Sequence, residues 1–235
     1  MLEQNALVVN TGRNLILFDT GMGTDQTYGP TTGKLLANLK AAGIDPAQID
    51  AVVITHAHID HCWALMSDDG RRNFPNARIF ITKSDFDFWT DESKMAQGGF
   101  MKPFIVGARK HLLPVRDKTT FVEDGKEVLP GVTAIASPGH TVGHTCYVVS
   151  SGNQSLMFTG DLCHHQVLLL QTPRLEFAYD TDPKQSAGTR VRVLDMLASQ
   201  RMPIVSYHFP FPGIGHVAKA GDRFAWHPSP MRTVL

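Results

Sequence analysis

The chain has 235 residues, 43% of them hydrophobic and 19% charged, a composition that can bury the core of a globular domain. Lys+Arg and Asp+Glu balance at 22 each, which excludes bulk electrostatic attraction to nucleic acid or to an anionic membrane. No apolar run approaches the roughly 20 residues of a membrane-spanning helix, and the first residues carry no basic-then-apolar leader. Cys62, Cys146 and Cys163 are odd in number and form no C-x-x-C. They suit a reducing compartment, so a cytoplasmic location is expected, with a periplasmic or secreted one only if a leader has been trimmed.

In chain order, Ala6–Asn10 and Leu15–Asp19 are apolar runs around Thr11-Gly12-Arg13-Asn14 and predict a β-hairpin. Lys34–Ala42 has Leu35, Leu36 and Leu39 at helical spacing, with Gly43 as a stop. Ala51-Val52-Val53-Ile54 reads as a fully buried strand and Ala77–Thr82 as another. Residues 84–112, with Phe86, Phe88, Trp89, Met95, Phe100, Met101 and Phe104, predict a helical insertion that packs its own apolar face, walls a substrate pocket, or both. Lys118–Val122, Lys126–Leu129, Val132–Ala136, Thr145–Ser150 and Ser155–Thr159 follow as strands punctuated by Gly, Asn and Pro. Gln185–Gln200 predicts a helix with Val191, Leu194, Met196 and Leu197 on its apolar stripe and Arg190 and Arg192 outside it. Ile204–Tyr207 is a last buried strand, followed by a Pro/Gly-rich tail. Alternating strands and helices favour an α/β layered architecture, and without repeat or linker a single domain over 1–235 is expected.

The chemistry concentrates at Thr55-His56-Ala57-His58-Ile59-Asp60-His61, where three imidazoles and a carboxylate follow a buried strand. Imidazole nitrogen and carboxylate oxygen are the donors that zinc and similar divalent metals accept. Three more positions share the logic of a strand end: His140 in Ser137-Pro138-Gly139-His140-Thr141-Val142-Gly143-His144, Asp161 in Thr159-Gly160-Asp161, and His208. Five imidazoles and two carboxylates exceed what one tetrahedral structural site needs, and would serve two metals with open positions.

These motifs resemble, in order and spacing, the metallo-β-lactamase superfamily. Gly160-Asp161-Leu162, Asp180-Thr181-Asp182 and Tyr207–His216 resemble its methyl parathion hydrolase-like and lactonase-like branch. The resemblance implies a four-layer αββα sandwich, although relatives carry one or two further strands ahead of Ala6. It assigns His56, His58 and His140 to one divalent metal and Asp60, His61 and His208 to a second, with Asp161 bridging. Zinc is the expected ion, with Mn, Fe or Co as substitutes. It implies a catalytic role for Asp60 and Asp161, and a water shared by two cations and acidified toward hydroxide. The reaction expected is hydrolysis of an ester, lactone or phosphotriester.

Trp89, Phe104 and His164 are expected to line the substrate pocket, His144 to support the ligands, and His216 to pack. Lactonases of the superfamily commonly place a Tyr shortly after the bridging Asp, and Leu162–Leu170 contains none. A glyoxalase II-type thioesterase would need a basic C-terminal patch, for which only Lys219, Arg223 and Arg232 are available. A non-catalytic metal-binding module is the remaining alternative. The uncharged Ala6–Val9 strand, as an open sheet edge, predicts a homodimer.

Overall fold

The computed structural model describes residues 2–97 and 101–230, so Phe100 and Arg232 lie outside the described residues. Two compact units form, one from Ala6 to Glu123 and the other from Asp124 onward together with the residues up to Asn5. Each is built on its own sheet.

The first unit has a five-stranded sheet in the order β1 (Leu7–Asn10), β2 (Leu15–Phe18), β3 (Ala51–Val53), β4 (Arg78–Thr82), β5 (Thr119–Val122). β1 and β2 form the expected hairpin, closed by Thr11 N–H donating to Asn14 O, with Gly12 supplying the left-handed residue. The other pairings are parallel, which leaves β3 buried on both faces and explains its unbroken apolar run. Helices α1 (Leu35–Ala41), α2 (Ile59–Cys62), α3 (Lys83–Thr90) and α4 (Met101–Leu112) complete the unit. Its core joins Leu17, Val52, Ile54, Ile79 and Ile81 of the sheet region to Phe86, Trp89, Ile105 and Leu112 of α3 and α4. The insertion is therefore helical and packs its apolar face inward. Gly107 is what lets α4 approach, since a Cβ there would lie 1.8 Å from the Trp63 ring. One turn on, His111 stacks on the same indole at 5.3 Å.

The second unit has a seven-stranded sheet, β12-β11-β10-β9-β8-β7-β6. Its members are β6 (Glu127–Leu129), β7 (Val132–Ala136), β8 (Thr145–Ser151), β9 (Gln154–Phe158), β10 (Ile204–Val205), β11 (Ile214–Ala220) and β12 (Arg223–Pro228). Only β9 and β10 pair in parallel. α5 (Leu168–Gln171) packs on β12, and α6 (Pro183–Gln200) on β11. Asp182 caps α6 by accepting from Gln185 N–H, and Pro183 opens its first turn.

Four expectations need correction. The last strand before His208 covers only Ile204–Val205. The tail is a β-hairpin, β11 and β12, turned at Gly221 and anchored by Val217 and Phe224 in the core. Arg190 is fully buried, because the inward stripe of α6 runs Ala187, Arg190, Val193, Leu194, Leu197. Its guanidinium is satisfied in place by the carbonyls of Leu162, Pro173 and Leu175 and by Asp180. His216, expected to pack, is exposed on β11 opposite His227. No helix among the described residues is long and apolar enough to cross a membrane.

Burial, reinforced by Lys110, pushes His111 down from 6.5 to about 4. Its folded pKa is depressed, so the stability it favours is complete above about 6.5 and is lost as pH falls toward 4. His111→Gln should shrink the difference in melting temperature between pH 7 and pH 5. An unchanged difference would place the acid sensitivity elsewhere.

Candidate metal centre

In the first unit the chain leaves β3, runs through Ile54–His58 and enters α2, so that His56, His58, Asp60 and His61 emerge together at the carboxyl end of a parallel strand. His56 and His61 are fully buried and His58 is half-buried. His56 Nε2 and His58 Nδ1 face each other at 3.0 Å, and His61 Nε2 lies 3.6 Å from Asp60 Oδ2. Ala57 N–H donates to Asp85 Oδ2 at 2.6 Å and pins the loop between the first two histidines. The expected pocket walls, Trp89 and Phe104, are buried and half-buried, and both stand edge-on to His58, at 4.8 and 5.7 Å between ring centres.

Behind these residues lies a carboxylate that strand and motif reading passed over. Asp19 follows β2 with a left-handed φ of 56° and no exposure. Its Oδ2 accepts from His61 Nδ1 at 2.7 Å and from Thr55 Oγ1 at 2.8 Å, while Oδ1 accepts from Thr55 N–H at 2.8 Å. Thr55 Oγ1 in turn lies 3.0 Å from His56 Nδ1. Since Oγ1 donates to Asp19, it receives the His56 proton. Both imidazoles therefore carry hydrogen on Nδ1 and turn Nε2 outward as a ligand would require. Burial raises the Asp19 carboxyl above its usual range, against the pull of His61 and Thr55. An Asp that ends an apolar strand and is followed by Thr-Gly was the available signal, a mirror of Thr-Gly-Asp161.

In the second unit β9 and β10 end side by side, and Asp161 and His208 follow them. His140 lies on the turn after β7, where Gly139 is needed because a Cβ would meet Ser186 N of α6 at 2.2 Å. Asp161 Oδ2 collects three imidazole Nε2 atoms: His208 at 3.1 Å, His164 at 3.1 Å and His140 at 3.3 Å. The ligand atoms of His140, Asp161 and His164 all lie within 4.8 Å of one another, in reach of one ion. His140 Nδ1 is held by Asp180 Oδ1 at 2.9 Å, and Asp180 Oδ2 meets Arg190 at 3.3 Å. His208 Nδ1 donates to Glu3 O at 2.7 Å. His144 supports the cluster from behind: its Nε2 accepts the Asp161 backbone N–H at 3.0 Å. Neighbouring His165 accepts the N–H groups of Val167 and Leu168.

The two buried imidazoles shift in opposite directions. Burial pulls His140 down, but hydrogen bonds and charge from Asp161 and Asp180 overcome it and push the group up to about 9. Burial pulls His164 down to about 4, and the single carboxylate beside it does not compensate. Burial also raises Cys62 well above the thiol range and Cys163 to about 12.

Imidazole and carboxylate donors of this kind fit divalent cations of the zinc type in both clusters. Residues 2–208 match the model described as the metallo-beta-lactamase superfamily. The chain belongs to that superfamily. Among solved structures it is similar to AidC, a dizinc quorum-quenching lactonase in complex with the product N-hexanoyl-L-homoserine. The TM-score is 0.91 and the identity 31%, covering 99% of this chain and 81% of that one. It is similar also to AbOPH, a hydrolase of the beta-lactamase superfamily, with a TM-score of 0.89 and 30% identity over 98% of this chain and 81% of that one. The fold is thus the α/β fold of these superfamily members. The N-acyl homoserine lactonase AttM of Agrobacterium fabrum is 30% identical over 156 residues, 60% of this chain and 53% of that protein. The chain spans about half the length of the curated lactonases it matches.

Asp19→Asn keeps the side-chain volume but presents either an oxygen or an amide to His61 Nδ1, and removes the charge. Loss of such a partner typically weakens metal affinity by about 10–100-fold. Competition of the apoprotein with a chromophoric chelator measures this. Wild-type zinc affinity in the variant would show that Asp19 serves folding alone.

Proposed function

We propose that the chain is a dinuclear metal-dependent hydrolase acting on esters and lactones, with N-acyl homoserine lactones as the leading substrate class. One observation carries the reading: in each unit a cluster of imidazole and carboxylate groups ends a parallel strand pair, and the rear nitrogens of His56, His61, His140 and His208 are tied to acceptors. His56, His58 and His140 would hold one ion, Asp60, His61 and His208 the other, and Asp161 both. The reading needs the two units to work together as one domain over residues 1–235. Two divalent cations, zinc first, would supply Lewis acidity toward a carbonyl and lower the pKa of water.

The chain's own residues contribute charge balance and aim. Asp60 and Asp161 would offset the repulsion between two dications, and His140 would have to release its proton to bind one, so uptake would be coupled to pH. Names of relatives favour the lactone class: AttM and AidC are both lactonases. Half-buried Phe104, and Phe177 tilted against His164 at 4.6 Å, would offer apolar surface beside the clusters for an acyl or aryl group. Phosphotriesters are the further class within reach of the same chemistry.

Elemental analysis of purified protein should give about two divalent ions per chain. Asp161→Ala should lose metal and hydrolysis together, because it removes the ligand common to both ions. The substrate panel is N-acyl homoserine lactones, aryl esters, a phosphotriester and a thioester. Preference for the thioester would replace the lactonase reading, and a metal-loaded protein inert to all four would make the chain a binding module.

The proposal includes a homodimer. Among the described residues β1 has β2 as its one strand neighbour in the sheet order, and Leu7, Val8 and Val9 are half-buried. Such an edge pairs readily with another chain. Light scattering at micromolar concentration should give twice the chain mass, and a concentration-independent monomer would exclude the dimer.

A further inference from the structure

Distance alone would admit His164 as a metal ligand, since its Nε2 lies within reach of the same ion as His140 and Asp161. Its other nitrogen argues otherwise. His140 Nδ1 is tied to Asp180 and His208 Nδ1 to Glu3 O, as ligating histidines almost always are. His164 Nδ1 is buried with no hydrogen-bond partner among the described residues. If Nε2 bound a metal, the proton of the neutral ring would sit on Nδ1 as a buried donor without an acceptor, which is unfavourable. With the proton on Nε2, the donor instead meets Asp161 Oδ2 at 3.1 Å, a charge-assisted bond. The ring is fixed in that pose, 4.6 Å from Phe177 and stacked on His208 at 5.1 Å with 13° between planes.

We propose that His164 is a positioning residue for Asp161: its Nε2–H holds the carboxylate oriented for the metal centre, and it is not itself a ligand. This goes beyond lining a pocket, and it rests on the metal-centre reading above. It also gives a use to a buried histidine that stands three residues after Asp161.

The test compares wild-type apoprotein with His164→Ala and His164→Gln, whose amide can place an N–H near the position of Nε2. Zinc affinity is read by chelator competition, and Co2+ coordination by visible absorption. Zinc affinity should fall by about 10–100-fold in the Ala variant and recover in the Gln variant. The number of ions bound and the Co2+ spectrum should stay those of wild type in both. Should the Ala variant be insoluble, His164→Leu keeps the bulk without the donor. Wild-type affinity in the Ala or Leu variant overturns the proposal, as does a lost metal equivalent or a changed Co2+ spectrum, which would make His164 a ligand. If wild-type protein takes up no metal, the metal-centre reading itself fails, and the positioning role falls with it.

Discussion

The arrangement depends on buried hydrogen-bond acceptors aiming imidazoles from behind. An imidazole can turn about two bonds and carry its proton on either nitrogen, so it presents a useful lone pair only if something fixes both. In the first unit that anchor is Asp19, and its placement is a matter of strand register. β2 and β3 pair in parallel with Phe18 opposite Val53, and Asp19 N–H donates to Val53 O. The residue after β2 therefore stands beside the loop that carries Thr55. A slip of one residue would turn its side chain to the other face of the sheet. The cost of a fully buried carboxylate is offset by three donors, two from Thr55 and one from His61.

The second unit solves the same problem with a longer chain of contacts. β9 and β10 are in parallel register with Phe158 opposite Val205, so Asp161 and His208 each lie three residues beyond a paired position and reach the same level. Asp180 aims His140 and is itself held by Arg190, whose fork also binds the carbonyls of Leu162, Pro173 and Leu175. One buried guanidinium thus ties the segment after Asp161 to the residue behind His140. Lysine could not replace it, because a single ammonium cannot span carbonyls on separate turns.

Much of this was legible in the sequence and some was not, for a physical reason. Strands β1 to β5 and the histidine motif follow from apolar runs and local spacing, which a linear reading sees directly. Asp19 and Asp180 were missed as partners because they act across 42 and 40 residues, through strand and turn geometry that periodicity does not encode. Arg190 was set outside its helix stripe because a charge is assumed to face water. Its burial became possible only where the fold gathered carbonyls and a carboxylate around it. The β11–β12 hairpin was obscured by Pro210-Phe211-Pro212-Gly213 at its entrance, although Val217, Phe224 and Trp226 carried a strand signal.

The opposite fates of His140 and His164 show what the second cluster is built to accept. Both rings are buried and both touch Asp161 Oδ2, yet the His140 pKa is pushed up and the His164 pKa down. The difference is Asp180, which gives His140 a second carboxylate, while His164 faces the repulsion of His140 and His208. The positive charges set against Asp161 and Asp180 are the Arg190 guanidinium and the proton that His140 holds more tightly than a free imidazole does. A divalent ion at His140 Nε2 would displace that proton and supply a larger charge in the same place. Two carboxylates around His140 thus favour positive charge at its Nε2. That balance, more than the count of histidines, is the electrostatic argument for a metal at Asp161.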